Sequence, residues 1–307
     1  MALKKVDTIW IDGKMVAWDD ATEHVLAHSL HYGVGAFEGI RAYKRSDGRP
    51  AVFRLREHSD RLFDSCLIAT MDVPFTREQI VEACVAVVRT NKLSVCYLRP
   101  LVYLGYGALG LGSLDAPVRT VIAAYEWGAY LGEEGMRRGI RCKVSAFRRG
   151  QGDAMMSKGK LTGQYVMSVL AKRDANKAGL DEAILLDQQG LVCEGSGENI
   201  FIAKSGVLRT PPTSSAILAG ITRDTVITLG RELGYEVRES TFTADEMWTA
   251  DEVFFTGTAA EITPIREIDG HRIGGGEPGP ITRRLQERFF AVVAGTDAAH
   301  ADWLTPV

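Results

Sequence analysis

The stretch 155–165 reads Met-Met-Ser-Lys-Gly-Lys-Leu-Thr-Gly-Gln-Tyr and stands between two regular elements. Upstream, residues 140–147 alternate in the way that is typical of a strand. Downstream, apolar residues recur at helical spacing over 165–170, and Gly179 stands where a glycine commonly ends a helix. The stretch is therefore predicted to form a strand-to-helix passage.

This passage carries two lysines, Lys158 and Lys160, with Gly159 and Gly163 close by. Glycines let a bulky partner approach the backbone. A lysine in such a place would suit a covalent nucleophile that attacks a carbonyl cofactor. Taken alone, however, a lysine in a flexible loop is more often merely solvated, and the spacing does not distinguish the two lysines.

The composition is ordinary for a globular chain, with 46% hydrophobic and 24% charged residues among 307. This length suggests roughly two domains. A net charge of -3 gives no sign of polyanion binding, so no nucleic-acid partner is expected. No apolar run reaches the length of a membrane span, and the N-terminus lacks the apolar core of a signal peptide. We therefore expect no membrane partner and a cytoplasmic location.

The metal-binding residue types are scattered. The five cysteines form no C-x-x-C pair, which argues for reduced thiols and against a disulfide framework or a zinc knuckle. His24, His28 and His31 have near-helical spacing, but no carboxylate or cysteine completes a recognisable ligand set. No metal is expected.

Helical and strand patterns mix along the whole chain, which predicts a mixed α/β (α+β) fold. Thr76-x-x-Gln79 is a capping box, and Asp12-Gly13 is a hairpin turn signal. Periodicity is lost after Trp127, in a glycine-rich segment. We therefore expect a smaller α/β domain over 1–127, an interdomain loop over 128–138 and a larger domain over 139–307.

Three further stretches could bind an ionic ligand. Gly220-Ile221-Thr222 opens a predicted helix, whose N–H groups can bind phosphate. The small residues of 256–260 follow a predicted strand and could form an anion-binding nest. Glu194 lies at a glycine-flanked strand end. Taken singly, these are also consistent with a capped helix, a tight turn and a hairpin-loop charge.

A lysine for an aldehyde, a carboxylate for a ring nitrogen and N–H groups for a phosphate form the set that pyridoxal 5′-phosphate (PLP) requires. At this point the chain resembles the branched-chain amino-acid aminotransferases of the fold-type IV group of PLP enzymes. The resemblance covers nearly the whole chain, and it is carried by His31-Tyr32-Gly33, Phe37-Glu38-Gly39-Ile40-Arg41, Tyr97-x-Arg99-Pro100, Trp127-Gly128-Ala129-Tyr130, Gly159-Lys160-x-x-Gly163-Gln164-Tyr165, Glu194-Gly195-x-Gly197-Glu198-Asn199, Gly220-Ile221-Thr222-Arg223 and Thr256 to Pro264.

The resemblance implies cofactor roles for particular residues. It selects Lys160 as the covalent lysine, because Lys160 precedes the Gly163-x-Tyr165 element. Tyr165 would bind the phenolic oxygen of PLP, and Glu194 would keep the pyridine nitrogen protonated. The implied phosphate ligands are Arg61, the N–H groups of Ile221 and Thr222, and Thr258.

The resemblance also implies substrate-binding roles. Tyr97 and the Thr258-Ala259-Ala260 turn would bind the substrate α-carboxylate, and Arg99 would bind a distal carboxylate. Four aromatic residues would form an apolar pocket for the substrate side chain: Tyr32, Phe37, Trp127 and Tyr130. Gly39, which belongs to the same motif as Phe37, would also contact the substrate.

The implied activity is reversible transamination between branched-chain L-amino acids and 2-oxoglutarate, by a homodimer or a dimer-based hexamer. D-amino-acid aminotransferases, aminodeoxychorismate lyases and amine transaminases of the same fold type would share the lysine and the glutamate. Tyr97-x-Arg99-Pro100 favours the branched-chain function, and the complete set of cofactor residues disfavours a non-enzymatic PLP-binding protein. Gln164, where the family commonly has Asn, and Leu161, where it has small residues, indicate a variant branch.

Overall fold

The computed structural model describes residues 3–113, 115–128, 131–150 and 156–307. The chain divides into two compact units, of which the first contains Met1–Trp127, Gly159–Gln164 and Ala291–Val307. The second contains Gly128–Lys158 and Tyr165–Phe290. The first unit therefore contains two segments from later in the chain, 159–164 and 291–307. The expected division, which gave each domain one continuous range, does not place these segments in the smaller domain. No helix in the described ranges is long and apolar enough to cross a membrane.

The first unit is built on an antiparallel sheet that has eight strands in its described part. The strand order is β17-β5-β4-β6-β7-β1-β2, and β3 pairs with β6. The strands are β1 Thr8–Ile11, β2 Lys14–Ala17, β3 Gly35–Phe37, β4 Ile40–Lys44, β5 Pro50–Phe53, β6 Cys96–Leu104, β7 Val118–Tyr125 and β17 Leu304–Pro306. The helices of this unit are α1 His28–Tyr32, α2 Leu55–Ile68 and α3 Arg77–Thr90.

Local signals explain much of this unit. Asp12 and Gly13 form the two-residue β1–β2 turn, with φ values of 46° and 90°. The predicted capping box of α3 is present, since Gln79 N–H donates to Thr76 Oγ1 (3.2 Å) and Thr76 N–H donates to Gln79 Oε1 (2.8 Å). The apolar face of α3 packs into one core with Leu62 and Leu98. The predicted turn and the predicted capping box are confirmed.

The second unit contains a sheet with nine strands in its described part, in the order β10-β9-β8-β15-β14-β11-β12-β13. An additional β10–β11 pairing closes six of these strands into a ring. The strands are β8 Ile140–Arg148, β9 Glu182–Leu186, β10 Val192–Gly195, β11 Asn199–Lys204, β12 Val207–Thr210, β13 Glu236–Glu239, β14 Glu252–Gly257, β15 Glu261–Ile268 and β16 His271–Arg272, which pairs with β15. The remaining helices are α4 Gly132–Arg138, α5 Tyr165–Lys177, α6 Ile221–Glu232, α7 Ala244–Trp248 and α8 Pro280–Val293.

Helix α4 lies within the stretch for which the sequence predicts a connecting loop. Glycine has a low helix propensity, so the glycines of this segment do not predict a helix. However, its first turn is acidic and its last turn is basic, which complements the helix dipole. Arg138 and Glu134 also form an i,i+4 ion pair of 3.1 Å.

Helix α5 forms as predicted, but its bulky apolar residues do not face the core. Val166, Val169 and Leu170 are exposed, whereas Ala171 and Ala175 are fully buried. The two alanines pack with Ala183 and Leu185 of β9. Small side chains permit a close approach of helix and sheet, so the larger residues are left on the outer face.

Candidate active site

Lys160 lies in the first unit and is held on both sides of its backbone. Its N–H donates to Ser65 Oγ of α2 (2.9 Å), and its carbonyl accepts from the N–H of Phe37 at the end of β3 (3.1 Å). Its Nζ lies 4.8 Å from the centre of the Phe37 ring. The position of this amine is therefore defined by α2 and β3 rather than by a flexible loop.

The glycines beside Lys160 serve backbone packing. Gly163 N–H donates to the carbonyl of Gly33 (3.0 Å), and a Cβ on Gly163 would lie 3.0 Å from that oxygen. Thr162 Oγ1 donates to the same carbonyl (2.7 Å). Leu161, one of the departures from the family pattern, packs against the core of the first unit. The partner that approaches Gly163 in this structure is thus another segment of the chain.

Lys158 lies in the second unit and has a different environment. Its Nζ donates to the carbonyls of Ser215 (2.9 Å) and Ile217 (3.1 Å). Burial lowers the pKa of Lys158, and the Glu194 carboxylate opposes that shift. Lys158 therefore fixes the segment that leads to Leu218, a structural role that spacing could not have revealed.

Arg61 is held by a buried carboxylate that the sequence analysis did not identify. Its Nε donates to Glu38 Oε1 (2.7 Å) and its Nη2 to Glu38 Oε2 (2.9 Å). His58 Nδ1 lies 2.7 Å from the same Oε2. Burial alone would raise the pKa of Glu38, but Arg61 and then His58 hold it well below its usual value. The bidentate pair fixes the plane of the guanidinium.

Tyr97 and Arg99 lie on one side of β6, as the period of a strand requires. The guanidinium of Arg99 lies 4.9 Å from the ring centre of Phe37 and 5.4 Å from that of Tyr97. The Trp127 ring is 4.9 Å from Tyr97. Arg99 Nε is buried without a hydrogen-bond partner among the described residues. Tyr125, which the sequence analysis missed, packs 5.4 Å from Trp127.

The position of the Tyr97 side chain leaves no room for a Cβ at position 39, which is occupied by glycine. A Cβ on Gly39 would overlap the Tyr97 hydroxyl and lie 2.7 Å from Cζ of the ring. The glycine therefore allows the tyrosine hydroxyl to reach the end of β3. Tyr32 is 43% exposed, with its ring 4.7 Å from His28. Tyr130 lies outside the described residues.

Glu194 lies in the second unit, where several donors surround its carboxylate. Its buried carboxylate pairs with Arg149 Nη2 through Oε1 (3.0 Å). Its Oε2 accepts from Leu218 N–H (3.1 Å) and Asn199 Nδ2 (3.3 Å). Asn199 belongs to a motif quoted above, whereas no periodicity signalled Arg149. This arrangement stabilises an ionised carboxylate.

Helix α6 begins at Ile221, and its N-cap residue, Gly220, provides no side-chain cap. A Cβ on Gly220 would overlap Asn199 Oδ1. Ile221 and Thr222, the first two helical residues, are buried. N–H groups in a first helical turn have no acceptor within the helix and attract anions.

The remaining predicted site residues of the second unit lie in the turn between β14 and β15 and at the start of α5. Thr258, Ala259 and Ala260 form the turn between β14 and β15. Just before this turn, Thr256 Oγ1 is buried and has no partner within the described part of the chain. Tyr165 is the half-buried first residue of α5. A buried hydroxyl beside a turn of small residues is suited to an anionic ligand.

Comparison with known proteins gives consistent matches. The family model described as Amino-transferase class IV matches residues 35–268. The branched-chain-amino-acid aminotransferase of Pseudomonas aeruginosa is 50% identical over 299 residues, which cover 97% of each chain. The crystal structure of the Escherichia coli branched-chain amino acid aminotransferase has a TM-score of 0.96 at 44% identity, covering 98% of this chain and 99% of its own. The branched-chain amino acid aminotransferase of Thermobaculum terrenum in its PLP form has a TM-score of 0.91 at 36% identity, covering 98% of each chain.

Proposed function

Because the chain belongs to the Amino-transferase class IV family, we infer that it is a PLP-dependent branched-chain amino-acid aminotransferase. It transfers the amino group reversibly between leucine, isoleucine or valine and 2-oxoglutarate, which gives branched-chain 2-oxo acids and L-glutamate. The observation that carries this inference is 50% identity along 97% of the chain. It confirms the resemblance inferred from the sequence, and the matching structures confirm the mixed α+β, fold-type IV architecture.

Each unit, described by itself, contains groups of the kinds that PLP requires. The amine of Lys160 belongs to one unit, and the Glu194 carboxylate and helix α6, whose N-cap is Gly220, belong to the other. The buried hydroxyl of Thr256, which has no partner among the described residues, adds a donor within the predicted anion-binding stretch 256–260. When bound, PLP withdraws the electrons left on the substrate Cα.

We assign the proton transfer to Lys160 and the charge control to Glu194. Lys160 would hold the cofactor covalently, and its free amine would carry the proton that leaves the substrate Cα. Glu194 keeps the ring nitrogen protonated, and Arg149 keeps Glu194 ionised. The hydrogen bonds of Lys158 to two carbonyls support the choice of Lys160.

Cofactor anchoring and substrate selection use the remaining residues. Arg61, the N–H groups of Ile221 and Thr222, and Thr258 bind the phosphate, while Tyr165 binds the phenolic oxygen. Tyr97 and the turn with Ala259 and Ala260 bind the α-carboxylate. The rings of Phe37 and Trp127 accept apolar side chains, and Arg99 beside them accepts the γ-carboxylate of glutamate. We propose that Tyr32 also contacts the apolar side chain, and the resemblance implies the same role for Tyr130, which lies outside the described residues.

We also propose that the protein works in the cytoplasm as a homodimer or a dimer-based hexamer. The five cysteines are free and buried, which suits a reducing compartment. Exposed Val166, Val169 and Leu170 on α5, and exposed Leu30 and Tyr106 in the first unit, are apolar surface of the kind that subunits cover. Light scattering coupled to gel filtration will measure the assembly.

The decisive experiment is a two-half-reaction assay followed by cofactor absorbance, with a panel of L- and D-amino acids and amines. Turnover of L-leucine, L-isoleucine and L-valine with 2-oxoglutarate is the expected result. Preference for D-amino acids or for amines would instead identify one of the related activities. Borohydride reduction and peptide mapping should find PLP on Lys160, and label on Lys158 would overturn the assignment.

A further inference from the structure

The second unit contains a cavity of about 670 Å³ whose residues have no role in the proposed transamination. It is lined by residues of α4, β15, α8 and the loop that precedes α8. The described lining includes four arginines and one carboxylate, in a chain whose net charge is -3: Arg137, Arg138, Arg266, Arg283 and Glu277. This local excess of positive charge is opposite in sign to that of the whole protein.

Arg266 occupies a specialised position in the sheet. The register of β15 against β8 shifts between Ile265 and Glu267, so Arg266 lies at an irregularity of the ladder. Such bulges re-aim a side chain. Its carbonyl accepts from Ile273 N–H (3.0 Å), and a Cβ on Gly139, whose φ is 82°, would lie 3.2 Å from the Arg266 Cβ. Within the described ranges, Arg266 forms no ion pair, and neither does Arg137.

Arg283 lies in the first turn of α8, where the helix dipole disfavours a cation. The positive end of this helix is already neutralised by Glu252, whose carboxylate accepts from the N–H groups of Ile281 (2.9 Å) and Thr282 (2.7 Å). The nearest carboxylate contact of Arg283 is Glu277, at 4.0 Å. Arg283 is therefore paired only loosely with a carboxylate, and its guanidinium can contact an anion that binds beside it.

A neighbouring hollow of about 590 Å³ shares Arg137 and Arg283 and is lined by three carboxylates: Glu133, Glu261 and Glu287. These carboxylates offset part of the positive charge on the shared wall. Arg138 is partly offset as well, through its pair with Glu134. Arg266 contributes only to the arginine-rich cavity, so it is the guanidinium on which an anion there should depend most.

We propose that this cavity binds a small polyanion that carries at least two phosphate or carboxylate groups. Guanidinium groups recognise both kinds of oxyanion through paired hydrogen bonds. The volume lies within the range of roughly 300–1,000 Å³ that is usual for small-molecule sites. Several arginines around one cavity favour a ligand with several charges over a single anion.

The test is calorimetric titration of the PLP-loaded enzyme, freed of excess cofactor, at constant ionic strength. Pyrophosphate and citrate are the two probes, and they distinguish the phosphate class from the carboxylate class. At least one should bind saturably. Arg266→Ala and the more exposed Arg137→Ala should each weaken binding by roughly tenfold, or about 1.4 kcal/mol. Both variants should keep wild-type transamination rates.

Arg284→Ala is the matched control, because Arg284 lies in the same helical turn as Arg283 but outside the cavity. It should bind the probes as the wild type does. An equal loss in Arg284→Ala would show general charge attraction and overturn the proposal. No saturable binding of either probe, or unchanged binding in Arg266→Ala, would overturn it too. Thermal melts of each variant exclude unfolding as the cause.

Discussion

Replacing Glu194 by glutamine tests the electrostatic core of the proposed mechanism. Arg149, Leu218 N–H and Asn199 Nδ2 all donate toward the carboxylate. In a glutamine, an NH₂ group replaces one of the two carboxylate oxygens, and this NH₂ group would face at least one of these N–H donors. The substitution removes the ion pair with Arg149 and leaves that guanidinium buried beside a neutral group.

The magnitude follows from the burial of this pair. Glu194 is 7% exposed, so its field is weakly screened. Removal of one preorganised electrostatic group in a dry site typically costs roughly 3–4 kcal/mol, or about 10²–10³ in rate. Because the phosphate ligands are unchanged, we expect Glu194→Gln to slow the chemical step far more than it weakens PLP binding.

Glu198→Gln supplies a matched control four residues away. Glu198 is also buried, but its described hydrogen bond comes from the backbone N–H of Gly197 (3.1 Å). Burial first, and then the Glu182 carboxylate, raise the pKa of Glu198 to about 8. The side chain is therefore neutral at pH 7, and a neutral isostere should change the rate little.

Single-turnover rates with leucine, measured at saturating PLP, compare the two variants. A large loss in Glu194→Gln and a near-normal rate in Glu198→Gln is the expected pattern. Wild-type rates in Glu194→Gln would refute the ring-nitrogen role. Equal losses in both variants would show that any substitution in this hairpin disturbs the site.

Three further predictions address specificity, packing and pH. Arg99→Met should lower kcat/KM for glutamate by roughly ten- to a hundred-fold and preserve it for leucine, since one charge-assisted contact is lost; equal losses would make Arg99 structural. Gly39→Ala should displace the Tyr97 ring and destabilise the fold by about 1–3 kcal/mol in denaturant titration, whereas Gly112→Ala, which faces open space, should not. Because the folded chain keeps the Glu198 proton up to about pH 8 and the unfolded chain loses it near pH 4.5, stability should fall by up to about 1.4 kcal/mol per pH unit across that window. Glu198→Gln should remove that contribution to the slope, and identical slopes in denaturation series would contradict the pKa shift.

Features that depend on neighbouring residues could be predicted from the sequence. The Asp12-Gly13 turn, the capping box at Thr76 and the strand predicted over 140–147 all form as expected. Each depends on backbone conformation or on hydrogen bonds within a few residues. The ordered motifs also identified the family, because their order and spacing are properties of the sequence itself.

The environment of the candidate residues could not be predicted in this way. Glu194 was recognisable at a glycine-flanked strand end, but its partner Arg149 is 45 positions earlier by residue number. Likewise, neither periodicity nor spacing joins Glu38 to His58 and Arg61. The choice of Lys160 over Lys158 came from the resemblance, and the carbonyl contacts of Lys158 became visible only in the structure.

By itself, the sequence determined the family, the mixed α+β class and most local elements, since these depend on short-range periodicity and on motif order. Only the tertiary structure decided that α5 turns its alanines to the sheet and that Tyr97 occupies the space beside Gly39. It alone showed that the buried Glu38 carboxylate contacts His58 and Arg61. The physical reason is that close approach, burial and charge pairing depend on which distant segments share a volume, and local spacing does not specify that volume.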